Sequence, residues 1–517
     1  MWHKPALLIP LTACTPLAWA ALAPVTPERA AEEHFACNAL KAMNLSDATG
    51  ARVALAEVGM LPALGDQPEL CRVNGFVDPQ VGFEVRMPAT GWNGKLLVTG
   101  CANFCGILQV QGMEDALARG YAAATTDMGH RTDDTSDARW ALNNPALETD
   151  FGHRATHVAT LAAKELVANY YGDPPAYSYF RGCSTGGRQA LVAAERYPDD
   201  FDGIIAGAPF NQSLSVPHMA WAMAANTGAD GAPVLGQSAI SLLGKAALAA
   251  CDAGDGQEDG VIGNPEACIF HPESLQCPAT AETLNVAVGR TCLTPAQVEA
   301  AARIYSGPRT RNGNAWSSGG SPVGSEFTWE KSMLASSGTV SFFQFIVQNW
   351  SMYLAFQPDP VLADDAPSAL DFDAGPEQFA ATNAVAGFRP ELGRFRDLGG
   401  RLIVYHGWVD ESLMPAHTLD YWRDAGERIG GKDQLDEFAR LFMVPGMLHC
   451  GGGPGAADID FLTVLERWVE ADEAPASLLA HKVKNPVSTM VRQPRFPLVP
   501  GTVEYTRRVY PYPRIDP

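Results

Sequence analysis

Ser184 lies in Gly182-Cys183-Ser184-Thr185-Gly186, between the aromatic run Tyr177 to Phe180 and the Ala- and Leu-containing stretch Arg188 to Tyr197. Serine between two glycines at this spacing, where a strand turns into a helix, is a nucleophile elbow: small neighbours permit the strained turn, and the hydroxyl meets the helix N-terminus. A serine hydroxyl attacks a carbonyl only when a histidine removes its proton and a carboxylate holds that histidine in the right tautomer. On such an elbow the acid and then the base follow the serine in sequence, each in a loop after a strand. The run Arg401 to Tyr405 leads into His406-Gly407-Trp408-Val409-Asp410, which makes Asp410 the candidate acid and Glu411 its close rival. Arg440 to Val444 leads into Pro445-Gly446-Met447-Leu448-His449-Cys450, and His449 is the candidate base. His417 and His481 also follow Asp410, but neither comes directly after a strand ending in a Gly-rich loop. Ser184, Asp410 and His449 in this order point to acyl transfer through a covalent intermediate.

Alternating strands and helices must hold these groups. Lys95 to Thr99 is a short apolar run ending in Gly100-Cys101-Ala102-Asn103-Phe104-Cys105-Gly106, a strand followed by a turn. Tyr121 to Asp127 reads as a second strand after a helical stretch at Met113 to Ala118. In His153 to Tyr171, Ala155, Val158, Ala159, Ala162, Leu166 and Tyr170 recur at helical spacing. With the elbow, this alternation predicts a parallel α/β sheet of the α/β-hydrolase type. Residues 211–395 separate the nucleophile unit from the acid strand, too long a stretch for a simple connection, and read as an inserted lid domain. The plan is therefore an export signal at 1–20, core at 21–210, lid at 211–395 and core again at 396–517.

The charge and the N-terminus narrow the function classes. With 37 Lys and Arg against 58 Asp and Glu, the net charge of −21 repels phosphate backbones, and no basic cluster offers a local exception. Nucleic acid is thus not expected as a partner, and the uncharged stretches are too interrupted by polar residues to predict a membrane span. After Lys4 no charge appears until Glu28, and an apolar run leads to Ala18-Trp19-Ala20, a small-x-small cleavage signal that predicts a secreted or periplasmic protein. An alternative reading takes Leu11-Thr12-Ala13-Cys14 as a lipoprotein signal with Cys14 lipidated. Either cleavage leaves Cys37, Cys71, Cys101, Cys105, Cys183, Cys251, Cys268, Cys277, Cys292 and Cys450, most simply five disulfides in an oxidising compartment. Cys183 and Cys450 each adjoin a catalytic candidate, so a bond between them would tie the nucleophile loop to the base loop.

The segments Gly182-Cys183-Ser184-Thr185-Gly186-Gly187-Arg188-Gln189, Arg196-Tyr197-Pro198, Asp202-Gly203-Ile204, Tyr405-His406-Gly407 with Asp410, and Gly446 with His449-Cys450 resemble the tannase and feruloyl esterase family, which also contains an esterase acting on mono(2-hydroxyethyl) terephthalate. The resemblance covers most of residues 35 to 510. It implies a Ser184, Asp410, His449 triad braced by Cys183–Cys450, and hydrolysis of an aromatic carboxylic ester. It also implies a structural calcium ion in the lid. The corresponding stretch is Cys251 to Ile262, where Asp252, Asp255 and Asp259 with the backbone carbonyls of Gln257 and Val261 supply hard oxygens. Within this reading, Cys251–Cys268 closes the loop, Cys277–Cys292 is a second lid bridge and Cys101–Cys105 is a clasp. The family pattern has a glycine cluster where this chain has Gly100 to Gly106, so the oxyanion donors are expected to be the backbone amides of Thr185 and of Cys101 or Ala102, with Ala102 favoured. Trp316, Trp329, Phe342, Phe343, Phe345, Trp350, Tyr353 and Phe356 suit the second half of the lid to an aromatic acyl group, most of them as its own core. A serine peptidase or a non-catalytic binding protein on the same fold are the alternatives, separated by incubation with peptide and ester substrates side by side. Neither the natural ester nor the oligomeric state is legible at this stage.

Overall fold

The computed structural model describes residues 35–65, 67–278, 291–333, 341–360, 370–484 and 493–514. The export and lipoprotein readings, Cys14 included, lie outside the described residues. Strands β4 (Lys95–Thr99), β5 (Ala122–Thr126), β6 (Tyr177–Cys183), β7 (Gly203–Gly207), β8 (Arg401–Gly407) and β9 (Ala439–Val444) are nearly continuous apolar or small-residue runs. Such runs suit strands covered on both faces, and every residue of β5 and β7 is buried. They pair in parallel in the order β5-β4-β6-β7-β8-β9.

Side chains alternate between two cores, as the two-residue period of a strand requires. Leu96, Val98, Phe180, Ile204 and Val404 share one core with Val158, Ala162 and Leu191 from the helices Ala155–Tyr171 and Thr185–Arg196. Leu97, Tyr179, Ile205 and Ile403 join the other with Leu465 and Trp468 of the helix Phe461–Ala471. Strands β4, β5, β6, β8 and β9 and the helices Ala155–Tyr171 and Thr185–Arg196 were legible in the sequence, whereas β7 and the helix Phe461–Ala471 were not singled out. Three antiparallel strands that extend the sheet on the β5 side were not singled out either: β1 (Val53–Leu61), β2 (Leu70–Val77) and β3 (Val81–Pro88) complete a nine-stranded sheet in which β3 pairs antiparallel with β5. A C-terminal pair, β10 (Leu478–Val483) and β11 (Val503–Val509), forms a separate two-stranded sheet.

β7 and β8 are neighbours in register, Gly203 opposite Arg401, so the chain from 208 to 400 leaves and returns between adjacent strands. Its described residues include the helices Gln212–Ala225, Gln237–Cys251, Pro295–Ser306, Glu326–Met333 and Phe342–Tyr353. Leu243, Ile304, Val347 and Trp350 are among its buried apolar residues. The ten expected cysteines form five bridges: Cys37–Cys71, Cys101–Cys105, Cys183–Cys450, Cys251–Cys268 and Cys277–Cys292.

Candidate active site

Ser184 closes β6 and caps the helix Thr185–Arg196 with φ 63° and ψ −122°. A serine in that region is strained, and its surroundings impose the conformation. A Cβ at Gly182 would come 2.4 Å from the Gly186 carbonyl oxygen, and one at Gly100 would come 2.6 Å from the Gly186 Cα. Only glycine permits the elbow and the neighbouring β4 loop to approach so closely.

The loop after β4 is fixed from the helix Thr185–Arg196. Gln189 Oε1 accepts the Cys101 N–H at 2.9 Å, while Gln189 Nε2 donates to Thr156 Oγ1 at 2.8 Å. The Thr185 hydroxyl donates to the Asn103 carbonyl. Amides of Gly100, Phe104, Cys105 and Gly106 also donate within the protein. The Cys101 amide is therefore committed elsewhere, and in this loop the amides of Ala102 and Asn103 make no hydrogen bond among the described residues. Thr185 is the first residue of its helix, where an N–H has no intrahelical acceptor.

Asp410 follows β8 and is fully buried. Its Oδ1 accepts the amides of Ser412 and Leu413, each at 2.8 Å. Its Oδ2 lies 2.8 Å from His449 Nδ1 and 3.1 Å from His406 Nε2. Burial opposes ionisation of this carboxyl, but the charge of His449 and the hydrogen bonds from His406 and His449 outweigh it, and Asp410 is held well below the usual carboxylate range. His449 shows the converse. Burial disfavours its imidazolium, but Asp410 and then Glu411 raise its pKa above the ordinary value. Glu411 does not compete for the ring: its Oε2 accepts the His449 backbone N–H at 3.0 Å. His417 is buried in the helix Pro415–Ile429 and His481 lies on β10.

The Cys183–Cys450 bridge joins the residue before Ser184 to the residue after His449, with Cα atoms 5.9 Å apart across 267 positions of sequence. Cys450 Sγ lies 3.7 Å from His449 Nε2, so the bridge runs beside the ring nitrogen that does not bond Asp410. Ser184, Thr185 and His449 line one cavity of about 730 Å³, walled by Phe104 from the β4 loop and by Phe327, Phe342 and Ile346 from the insertion. Of the eight aromatic residues singled out in the insertion, Phe342 reaches this wall. Trp329, Phe343, Trp350 and Tyr353 are buried as core. Phe327 was missed because no periodicity separates a wall residue from a core residue. His406 was in view, four positions before Asp410, but without an assigned part.

A model of the family described as tannase and feruloyl esterase matches residues 64–516. The chain belongs to the tannase and feruloyl esterase family. It is 32% identical to the mono(2-hydroxyethyl) terephthalate hydrolase of Piscinibacter sakaiensis over 87% of this chain and 82% of that one. It is 33% identical to a probable feruloyl esterase of Arthroderma benhamiae, covering 86% of each. The crystal structure of feruloyl esterase B from Aspergillus oryzae superposes with a TM-score of 0.79 at 26% identity, over 93% of this chain and 96% of that one. Like its family, the protein is a carboxylic ester hydrolase.

The carboxylates of the acidic loop after Cys251 accept hydrogen bonds from the loop's own amides. Among the described residues no three His, Cys, Asp or Glu side chains converge closely enough to hold a metal ion by themselves. Asp252 Oδ1 accepts the amides of Asp259, Gly260 and Val261 at 3.1 to 3.3 Å. Asp255 Oδ2 pairs with Arg507 of β11 at 2.6 Å, and Asp259 Oδ2 lies 3.5 Å from the same guanidinium. Asp255 Oδ1 accepts the Gln257 amide and Asp259 Oδ1 the Val261 amide. Asp255 and Asp259 thus share one arginine while Asp252 is held by backbone amides, so the loop's three carboxylates and Arg507 leave two negative charges unbalanced, a charge that one divalent cation would neutralise. The oxygen donors have the chemistry calcium prefers.

Proposed function

We propose that this protein is an exported serine esterase that cleaves aromatic carboxylic esters, feruloyl, galloyl or related phenolic esters, through an acyl-enzyme on Ser184. The observation that carries the reading is that His449, held by a 2.8 Å bond to the buried Asp410, lines the same cavity as the strained Ser184. His449 Nε2 takes the Ser184 proton as Oγ attacks the ester carbonyl, Asp410 stabilises the imidazolium, and the amides of Thr185 and Ala102 receive the oxyanion. His449 then protonates the leaving alcohol, and water, deprotonated by the same histidine, releases the acid. The fold is read as an α/β-hydrolase core in which the insertion at 211–395 acts as a lid, its Phe327 and Phe342 facing the acyl ring. Five disulfides suit an oxidising compartment, and among the described residues no helix is long and apolar enough to cross a membrane. Parallel hydrolysis of methyl ferulate, methyl gallate, mono(2-hydroxyethyl) terephthalate and a peptide tests the reading. Turnover of a phenolic ester and none of the peptide is expected; cleavage of the peptide alone overturns it.

One observation favours a second substrate. Lys331 lines the cavity, a cation suited to an acyl ring that carries a free carboxylate, as a terephthalate monoester does. Preference for the terephthalate over methyl ferulate, abolished by Lys331→Met, would establish this reading.

The raised proton affinity of His449 sets the acid limb of the reaction. His449 must be neutral to act as base, so kcat/KM falls as pH drops through its pKa, at a higher pH than for an ordinary imidazole near ~6.5. Replacing Asp410 by Asn removes the larger carboxylate influence while Glu411 remains. The limb should move to lower pH and turnover should fall by about 10⁴-fold, the scale of removing a triad carboxylate. A pH–rate profile with a non-ionising ester checks both; an unmoved limb contradicts the pairing.

Calcium is proposed at the Cys251–Cys268 loop, held by Asp252, Asp255, Asp259 and the carbonyls of Gln257 and Val261, with Arg507 neutralising the remaining charge. An ion bound only to the folded chain raises the melting temperature, and its removal by a chelator should lower it by roughly 3–8 °C. Calorimetry with and without chelator, together with elemental analysis, checks this. An unchanged melting curve with no calcium found leaves Arg507 as the counter-charge and removes the ion.

A further inference from the structure

Asp410 carries two histidines, and the reaction uses one. His406 is the penultimate residue of β8 and is buried at 1% exposure. Its Nε2 lies 3.0 Å from the Leu413 carbonyl and 3.1 Å from Asp410 Oδ2. Both are acceptors, so Nε2 carries a proton and donates to them. Its Nδ1 lies 2.8 Å from Thr418 Oγ1 in the helix Pro415–Ile429. A hydroxyl can donate to that nitrogen, which completes the neutral Nε2–H tautomer without a second ring proton.

We propose that His406 is a positioning residue for the acid of the triad: as a fixed Nε2–H donor it shares Asp410 Oδ2 with His449 and sets both the carboxylate's orientation and the basicity of His449. The inference rests on the reading of Asp410 as the triad acid. Two backbone amides hold Oδ1 from the loop after β8, and His406 of β8 and His449 of the loop after β9 hold Oδ2. A carboxylate with all four donors cannot rotate without breaking at least one bond in a buried site, where an unmade bond is costly. Thr418 and the Leu413 carbonyl lock the imidazole in turn. The donor also draws charge from Oδ2. Without it, more of the Asp410 charge acts on the His449 imidazolium, and the proton affinity of His449 rises. The titratable groups facing this cluster are Asp410 and Glu411 on the acid loop, His449 on the base loop, Tyr405 on β8 and His417 on the helix behind.

His406→Phe keeps the ring volume and removes the donor, whereas His406→Gln places an amide N–H near the former Nε2. For the phenylalanine variant, kcat on an aromatic ester should fall roughly ten- to a hundredfold with KM within about twofold, as expected for a misplaced catalytic group. The acid limb of its pH–rate profile should move to higher pH. The glutamine variant should recover most of the lost turnover and return the limb towards the wild-type position. A merely structural role would lower the melting temperature without moving the limb. On wild-type protein, ¹⁵N chemical shifts of labelled histidine should show His406 protonated at Nε2 and bare at Nδ1, a readout that needs no variant to fold. Unchanged kcat and an unmoved limb in folded His406→Phe, or the opposite tautomer in the wild type, overturn the inference. Failure of the reading of Asp410 as the triad acid is distinguishable, since Asp410→Asn would then keep wild-type turnover and leave the acid limb unmoved.

Discussion

Replacing Ser184 with alanine should lower kcat on an aromatic ester by about 10⁴- to 10⁶-fold, because the members of a triad act as a unit and loss of the nucleophile removes the covalent route. The fold should survive. Ser184 occupies a strained conformation at φ 63°, and its backbone N–H and C=O bond Gly207 and Phe210 irrespective of the side chain. A melting curve within a few degrees of the wild type, with no burst of alcohol in stopped-flow assays, is the expected pair of observations. Residual turnover above a few per cent of wild type would move the chemistry to another residue.

The second large effect is expected from the bridge between the nucleophile and base loops. A double variant Cys183→Ala, Cys450→Ala removes a crosslink spanning 267 positions. In the chain-entropy picture so long a loop contributes about 5–6 kcal/mol to stability. Four bridges remain to hold the fold. The catalytic cost is separate. Cys450 sits at φ 67° and its sulfur touches the edge of His449, so removing the bridge frees the base loop beside the serine. A displacement of about 1 Å between proton donor and acceptor costs on the order of a hundredfold in rate. Assays well below the variant's melting point should show that loss in kcat. Wild-type kcat in the folded variant would reduce the bridge to a stabilising role.

What the sequence made legible follows from where chemistry is written locally. Ser184 was recognisable because its elbow needs glycine at 182 and 186 and an apolar strand before it, all within one short segment. Asp410 and His449 were recognisable because each loop follows a buried parallel strand, whose unbroken apolar run stands out. The antiparallel strands β1 to β3 escaped notice. β2 alternates in burial and includes Arg72 and Asn74, and β1 is largely half-exposed, so neither gives the uniform signal of the central strands. The relation of Arg507 to the acidic loop was also hidden. It joins residues 248 positions or more apart through a C-terminal hairpin, and nothing local in either segment announces the other. The commitment of the Cys101 amide to Gln189 likewise needed the folded chain, which narrowed the favoured oxyanion amide without any change of residue type.

The central claim is a covalent acyl-enzyme on Ser184, and the most direct measurement is to trap it. Protein mixed with a slowly deacylating aromatic ester or an alkyl fluorophosphonate, quenched and digested, should carry one equivalent of adduct on the peptide containing Gly182 to Arg188, at Ser184. The Ser184→Ala variant should carry none. An adduct on any other residue, or none while the ester is still turned over, contradicts the account.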